Sequence, residues 1–412
     1  MKTTGAAVSA GLVAGCMGGN GNGNGGNGGN GNGGNGNGDD DGGPITIAGL
    51  QPMSGNFSVY GPAHTAGVEF AIDRINANGG VLGRDLEVQT VDTGGSAQDA
   101  VTSFTQMIEQ DGVVAGLGPV ATEAAIQAGE VADDMEVPLF MHAAGAAAVT
   151  PTDSRYRFRT ALAAAPTCAA AQAQIAEANG YTEIGMIIED GEWGYEYETA
   201  VEALFPDDVT LETDFAPIPE NDFIPYLRDM PDEVDMFLGA AHPAGINSIV
   251  EQMDEIGMST DLFVGAITPA SATYGALGDH VADSFAYFHQ IDPYTDEYEE
   301  IATEFYEEEG GLFDTAEASG YATVEIIADA VEGAGTTDPV EVAEEIRTGS
   351  FETIFASPVE YTEWGELDNV VQVYNSFDVG EAPSYYPDGE FRLEEFHRTD
   401  PIEAHNPDEL GI

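Results

Sequence analysis

Two hydrophobic patterns alternate along the chain from residue 45 onwards. Short runs of consecutive apolar residues, typical of strands buried on both faces, stand between longer segments whose apolar residues recur every three or four positions. In one such segment Val68, Ala71, Ile72 and Ile75 fall on a single helix face, and the pattern stops at a Gly-Gly pair. The patterns predict strands at residues 45–50, 86–91, 113–116, 137–141, 184–189, 234–238 and 262–265, and helices that include residues 96–110 and 193–205.

Strands that alternate with helices favour parallel sheets covered by helices on both faces. The alternation occurs twice, before and after about residue 160, and therefore predicts an α/β fold of two Rossmann-like lobes. In such folds ligands bind at the carboxyl ends of the strands, where the loops converge.

The start of the chain has a different composition. A positive start and a short apolar stretch end in Val13-Ala14-Gly15-Cys16, so residues 1–16 have the parts of a secretory signal and resemble a lipobox. Residues 18–38 contain only Gly and Asn, which predicts a flexible tether over residues 17–44. The alternative is an irregular start with a chance cysteine. We expect a protein at the extracellular face of the membrane, held there only by a lipid on Cys16.

The charge balance is strongly acidic, with 74 Asp and Glu residues against 10 Lys and Arg residues and a formal net charge of −64. The carboxylates are spread along helices with regular apolar positions, which predicts the surface of a folded protein. Repulsion within such a surface is screened in molar salt, where the Debye length is about 3 Å, so the composition favours an extreme halophile. Nucleic acid is excluded as a partner, because phosphates require a basic face.

A series of short motifs follows in the first half of the chain. They are LQPMSG at 50–55, YG at 60–61, AIDRINANGGVLGR at 71–84, QDA at 98–100, DGV at 111–113 and GLGP at 116–119. Each motif alone is weak, but in this order and spacing they resemble the leucine/isoleucine/valine-binding proteins that serve ABC importers. The resemblance covers residues 45 to about 380.

The resemblance implies a type I periplasmic binding fold, in which three crossing strands form a hinge that closes two lobes over a small ligand. The crossings are expected near residues 158–161, 287–289 and 357–360. The expected parts are a first lobe of residues 45–160 with 290–357, a second lobe of residues 161–289 with 358–398, and a tail of residues 399–412.

The resemblance also implies ligand contacts. Tyr60 and Trp193 match aromatic contacts of the family; a core position is an equal alternative for Tyr60, whereas Trp193 lies among Gly and acidic residues. The remaining expected contacts use hydroxyl groups, backbone amides or strand ends, and they are Ser54, Thr122, Ala143, Gly145, His242 and Thr268.

The groups that hold an α-amino acid in the family are incomplete here. Gly145 replaces a threonine, Ala241 replaces a tyrosine, and residues 265–268 lack the carboxylate that would meet an α-ammonium group. Leaving a buried charged partner unpaired costs about 2–5 kcal/mol. We therefore expect a small ligand such as an amino acid, an amide or a carboxylate, with weak binding of leucine, isoleucine and valine.

Histidines at strand ends or the hinge raise the question of other chemistry. His142 and His242 would favour a polar or anionic ligand if they faced each other, but hydrogen-bonded structural roles are the simpler interpretation for them and for His289. Two imidazoles make a poor metal site, and motifs for cofactors or nucleophilic catalysis are lacking. The sequence thus predicts no metal, no cofactor and no enzyme, and Cys168 is interpreted as a small buried residue.

These features predict a monomeric extracellular lipoprotein that captures a small solute by lobe closure and delivers it to ABC permease subunits. Two alternatives stay open: a ligand-sensing component of a surface signalling system with the same fold, and a surface enzyme, which no residue pattern supports.

Replacing Cys16 with Ser removes the thiol that a lipid would modify. We expect Cys16→Ser to move the protein from the membrane fraction to the medium, as measured by cell fractionation and immunoblotting. Cys168→Ala, which changes the other cysteine, is the matched control and should stay with the membranes. Retention of Cys16→Ser in the membrane fraction contradicts the anchor.

Overall fold

The computed structural model describes residues 42–217, 220–241, 243–265, 269–281 and 285–412. The expected signal, its Cys16 and most of the tether lie outside this part of the chain. Each of the seven predicted strands occurs, with ends shifted by a few residues. The strands are β1 (Ile45–Gln51), β2 (Leu86–Asp92), β3 (Ala115–Leu117), β4 (Leu139–Met141), β5 (Arg157–Arg159), β6 (Glu183–Glu189), β7 (Thr210–Ala216), β8 (Glu233–Ala240), β9 (Ser259–Gly265), β10 (Phe285–His289), β11 (Glu360–Tyr361), β12 (Leu367–Asp368), β13 (Val373–Val379) and β14 (Phe391–Arg398).

Helices connect most of the parallel strands. They are α1 (Gly61–Ala77), α2 (Ala97–Asp111), α3 (Thr122–Met135), α4 (Ala165–Asn179), α5 (Glu192–Leu204), α6 (Ile224–Leu227), α7 (Pro243–Ile256), α8 (Ala270–Leu277), α9 (Asp296–Glu309), α10 (Thr315–Ala334), α11 (Pro339–Thr348) and α12 (Pro407–Leu410). In the described part of the chain, no helix combines the length and the apolar character that a bilayer crossing requires.

The first lobe is built on a five-stranded parallel sheet in the order β2-β1-β3-β4-β5. All seven residues of β1 are buried, as the apolar run predicted for a central strand covered on both faces. One face packs on α1 and α10, and the other packs on α2 and α3, so two hydrophobic clusters sandwich the sheet.

The second lobe is built on a seven-stranded sheet in the order β14-β13-β10-β9-β8-β6-β7. The five strands β6 to β10 are parallel, whereas β13 runs antiparallel to both of its neighbours, β10 and β14. The alternation pattern did not indicate this antiparallel edge, which is common on otherwise parallel sheets. The predicted α/β fold with parallel sheets in two lobes is confirmed.

The late part of the chain returns to the first lobe. Ile301, Ile327 and Ile346, on α9 to α11, share a hydrophobic core with the first sheet, and so does Leu367. From the sequence, residues 358–398 are expected in the second lobe. The segment that carries β11 and β12 packs on the core of the first lobe instead.

Helices α1 and α10 approach each other closely because glycines face the partner backbone. A Cβ atom on Gly67 would overlap the Glu317 carbonyl oxygen and lie 2.7 Å from its Cα, and one on Gly320 would overlap the His64 carbonyl oxygen. The contact between α1 and α10 thus fixes the helix that follows the loop after β1.

We expect Gly67→Ala to lower the free energy of unfolding by about 1–3 kcal/mol, because the added methyl group forces α1 away from α10. Urea unfolding followed by circular dichroism in molar KCl measures the change. Gly275→Ala, in α8, adds a methyl group with no atom within 4 Å and should be neutral or slightly stabilising. Equal effects of both substitutions would contradict close packing at Gly67.

Candidate functional site

A cleft of about 460 Å³ lies at the carboxyl ends of the strands of both sheets. Its walls follow β1, β3 and β4 in the first lobe and β6 and β8 in the second, which is where the sequence predicted a ligand site. The residues that line it are Phe57, Tyr60, Val120, Thr122, Glu123, Ile126, Gln127, Ala143, Gly145, Leu162, Glu189, Gly191, Glu192, Trp193, Gly194 and Ala241.

The first-lobe wall rests on a buried stack of rings. Tyr60 is only 6% exposed, and its ring lies edge-on to His142 with centroids 5.9 Å apart. The ring of His142 in turn packs 4.1 Å from that of His64, whose Nδ1 lies 2.7 Å from Nε2 of Gln51. Burial lowers the pKa of His142 well below its ordinary value and that of His64 to about 3, so both imidazoles are neutral.

This stack corrects one interpretation of the sequence. His142 is buried against the Tyr60 ring and is absent from the lining of the cleft, which favours the structural role over a ligand contact. His242 lies outside the described residues. His289 is buried at the end of β10, and it too is absent from the lining of the cleft.

The second-lobe wall is dominated by Trp193, in the first turn of α5. Its ring stacks on Tyr197 at 5.3 Å and contacts hydrophobic clusters of both lobes. A Cβ atom on Gly145 would overlap Trp193 Nε1 and lie 2.8 Å from Cδ1. Gly145 therefore does more than replace a threonine, because its lack of a side chain makes room for the indole.

The loop that carries Ala143 and Gly145 is held from below by Arg159. This side chain is fully buried, and its guanidinium donates to the carbonyl oxygens of Ala144 and Ala146. Its Nε also donates to a Glu366 carboxylate oxygen at 2.7 Å. Sequence reasoning missed this residue, although a charged side chain within a predicted crossing strand signals that a buried partner exists.

A further contact ties the same loop to the second lobe. The backbone N–H of Ala147 donates at 2.6 Å to a carboxylate oxygen of Glu196, which lies in α5. Burial raises the pKa of Glu196 to about 7, and the bond from Ala147 opposes that rise.

The cleft itself carries negative charge. Glu123, Glu189 and Glu192 line it, and its described lining contains no Lys, Arg or His. Burial raises the pKa of Tyr60, and the negative charge of Glu189 on the opposite lobe adds to the rise. The polar groups of the lining otherwise include the Thr122 hydroxyl and the Gln127 amide.

The structure brings together five of the eight expected contact residues. Their roles in binding stay predictions, but Tyr60, Thr122, Ala143, Gly145 and Trp193 all line the cleft, where Ala241 also lies.

Of the other three expected contacts, the structure describes only Ser54, and it does not join them. Ser54 is exposed and absent from the lining; its backbone N–H donates to Asp92 Oδ1 at 3.2 Å, because the loop after β1 folds back on the end of β2. His242 and Thr268 fall outside the described residues.

Sequence reasoning missed several lining residues. Glu123, Ile126 and Gln127 lie one turn apart at the start of α3, a spacing that puts them on one helix face. The position of Glu189 at the end of a predicted strand, on the ligand edge, could have indicated its role. In a chain with 74 acidic residues, however, a single Glu is not informative. Among the residues with described placement, no group of three His, Cys, Asp or Glu side chains is arranged to hold a metal ion.

A family model described as periplasmic binding protein matches residues 44–378, which include both lobes and the whole lining of the cleft. The chain belongs to the periplasmic binding protein family. The predicted resemblance to branched-chain amino-acid binding proteins is confirmed at this level, and the homologues are solute-binding proteins rather than enzymes.

Individual relatives agree with this assignment. The Leu/Ile/Val-binding protein BraC3 of Rhizobium johnstonii is 23% identical over 328 residues, which are 78% of this chain and 89% of the relative. The isoleucine complex of LivJ, a branched-chain amino acid transporter substrate-binding protein of Streptococcus pneumoniae, has a TM-score of 0.72 at 16% identity, covering 85% of this chain and 99% of that one. A Rhodopseudomonas palustris solute-binding protein of an ABC transporter, in complex with 3,4-dihydroxybenzoic acid, has a TM-score of 0.74 at 18% identity, covering 89% and 99%.

Replacing Gly145 with Ala in this binding protein forces the Trp193 ring to move. We expect a shifted Trp193 emission maximum and a free energy of unfolding lower by about 1–3 kcal/mol. Emission is measured in a Trp364→Phe background, since the chain contains two tryptophans. Gly191→Ala is the control. Gly191 lines the same cleft, but a Cβ added there has no atom within 4 Å, so the spectrum should not change. An unchanged spectrum for Gly145→Ala contradicts the contact.

Proposed function

We propose that this binding protein captures a small solute outside the cell by lobe closure and delivers it to an ABC importer. One observation carries the proposal: Tyr60 and Trp193, on different lobes, line the same cleft. The cleft volume of about 460 Å³ suits a small molecule.

Closure is the step that would couple capture to delivery. A ligand in contact with both Tyr60 and Trp193 stabilises the form in which the lobes are closest, because only that form offers both surfaces. The bond from Ala147 to Glu196 already crosses from one lobe to the other and would strengthen or break as the lobes move. The permease subunits would then bind the closed form.

Anchoring belongs to the same proposal. A lipid on Cys16 and a Gly/Asn-rich tether would hold the protein at the extracellular face of the membrane while the lobes turn freely. The net charge of −64 supports operation in molar salt, where repulsion between the carboxylates is screened.

The fold leaves the ligand open, since solved proteins of this fold hold isoleucine in one case and 3,4-dihydroxybenzoic acid in another. Two features of this cleft disfavour branched-chain amino acids. Ala241 lines it where the family resemblance expects a tyrosine, and Trp193 fills the space beside Gly145 where a threonine is expected.

We expect leucine, isoleucine and valine to bind with dissociation constants well above micromolar, because these clamp groups are missing. Titration of Trp364→Phe protein in about 2 M KCl, where surface repulsion is screened, follows Trp193 emission on lobe closure. Submicromolar binding of any of the three would place the clamp elsewhere.

The proposed function itself is tested by mass spectrometry of the solute that co-purifies from native cells. Trp193→Ala should weaken binding of that solute by about 1–3 kcal/mol, through loss of a buried aromatic contact. Trp364→Ala, outside the cleft, should leave it unchanged. Protein that holds no solute and shows no Trp193 response to any compound would contradict a capture role.

A further inference from the structure

The cleft is acidic in a chain that has few cations to neutralise it. Glu123 and Glu192 are exposed at its walls, and Glu189 ends β6 shortly before Glu192 and Trp193. The sequence contains nine arginines and one lysine, Lys2, and no described Arg lines the cleft. Positions 242 and 266–268, which carry His, Ala, Ile and Thr, lie outside the described residues.

Arginines elsewhere in the described chain do not line the cleft, and several of them are engaged in ion pairs, including Arg159, which lies behind the wall formed by Ala143 and Gly145. Side-chain ion pairs join Arg74 to Glu304, Arg157 to Asp133, Arg159 to Glu366, Arg347 to Glu344, Arg392 to Asp378 and Arg398 to Asp292. An anionic ligand would therefore meet three carboxylates in a cleft whose described lining contains no basic side chain to offset them.

Two nearby carboxylates, Asp190 and Glu196, are distinguished from those of the cleft because they do not line it. Asp190 accepts a hydrogen bond from the Tyr195 hydroxyl, and Glu196 accepts one from the Ala147 backbone. By contrast, Glu189 lines the cleft opposite Tyr60 of the first lobe, and its charge adds to the rise that burial causes in the pKa of Tyr60. Glu189 is thus the carboxylate that the structure associates with both walls.

Aromatic and apolar side chains make up the rest of the walls. Phe57, Tyr60 and Trp193 line the cleft beside Val120 and Leu162. Aromatic faces attract cations, and the attraction grows when the cation is shielded from water. Carboxylates, aromatic rings and aliphatic side chains in one cleft match an ammonium group that carries apolar substituents.

We propose that the cleft takes an organic cation, an alkyl- or aryl-substituted ammonium compound, with Glu189 and Glu192 supplying the negative charge and Tyr60 and Trp193 the aromatic faces. This inference rests on the proposed capture role and names the ligand class of the same site. It also accounts for the missing clamp: a ligand without an α-carboxylate needs no threonine at 145. In molar salt distant charges are screened, so carboxylates act on a ligand only from within the cleft.

The probes are choline, its uncharged isostere 3,3-dimethylbutan-1-ol, benzyltrimethylammonium, leucine and benzoate. Isothermal titration calorimetry of the full chain in about 2 M NaCl measures each affinity. We expect one or both cations to bind, and choline to bind about tenfold or more tighter than its uncharged isostere.

The deciding variant is Glu189→Gln, which keeps the shape and removes the charge. We expect it to weaken cation binding about tenfold or more and to leave the uncharged isostere unaffected. Glu202→Gln is the matched control, because Glu202 lies in α5 of the same lobe, is exposed and is outside the cleft lining. This substitution should change neither affinity. If Glu189→Gln melts at a lower temperature than Glu202→Gln, Glu192→Gln replaces it, because Glu192 is exposed.

Three results would overturn this inference: neither cation binds, leucine or benzoate binds more tightly than both cations, or removal of the Glu189 charge weakens choline and its isostere equally. These results leave the capture role intact if another solute co-purifies and quenches or shifts Trp193 emission. Only a protein without any captured solute contradicts both proposals.

Discussion

The ion pair between Arg159 and Glu366 lies where the two lobes of the chain meet. Arg159 ends the last strand of the first sheet, and Glu366 comes from the segment that returns 207 residues later. The backbone N–H of Ala164, at the start of the second lobe, donates to the other oxygen of Glu366 at 3.3 Å. A buried charge that loses its partner destabilises a protein by about 3–5 kcal/mol, so this pair is maintained only if all three segments stay in register.

The geometry of the cleft follows from that pair. Arg159 spends its remaining donors on the carbonyl oxygens of Ala144 and Ala146, and this fixes the loop between them. The loop in turn presents Gly145 to Trp193, whose ring stacks on Tyr197 in the second lobe. The position of the indole at the ligand edge is thus set by a charge buried beneath the opposite wall.

Much of the fold could be predicted from the sequence, because it follows local rules. Apolar runs located the buried strands, and the motif order located the ligand edge at which Tyr60 and Trp193 lie. Contacts between distant segments could not be found this way. The partner of Arg159 is 207 residues away, and the burial of His142 depends on the rings of Tyr60 and His64 at the distant start of α1. The acidity of the cleft was hidden for a different reason, since abundant surface carboxylates made each single one uninformative.

The Trp193 indole occupies the space that a side chain at position 145 would need. A side chain at 145 and an indole at 193 cannot occupy the same space, so a relative that carries a hydroxyl at the first position must carry a smaller or differently placed ring at the second. Either substitution alone leaves an overlap or a cavity, which lowers the free energy of unfolding. In this chain, a side chain at 145 therefore requires the indole at 193 to shift, so a hydroxyl clamp at the first position would move the aromatic wall at the second.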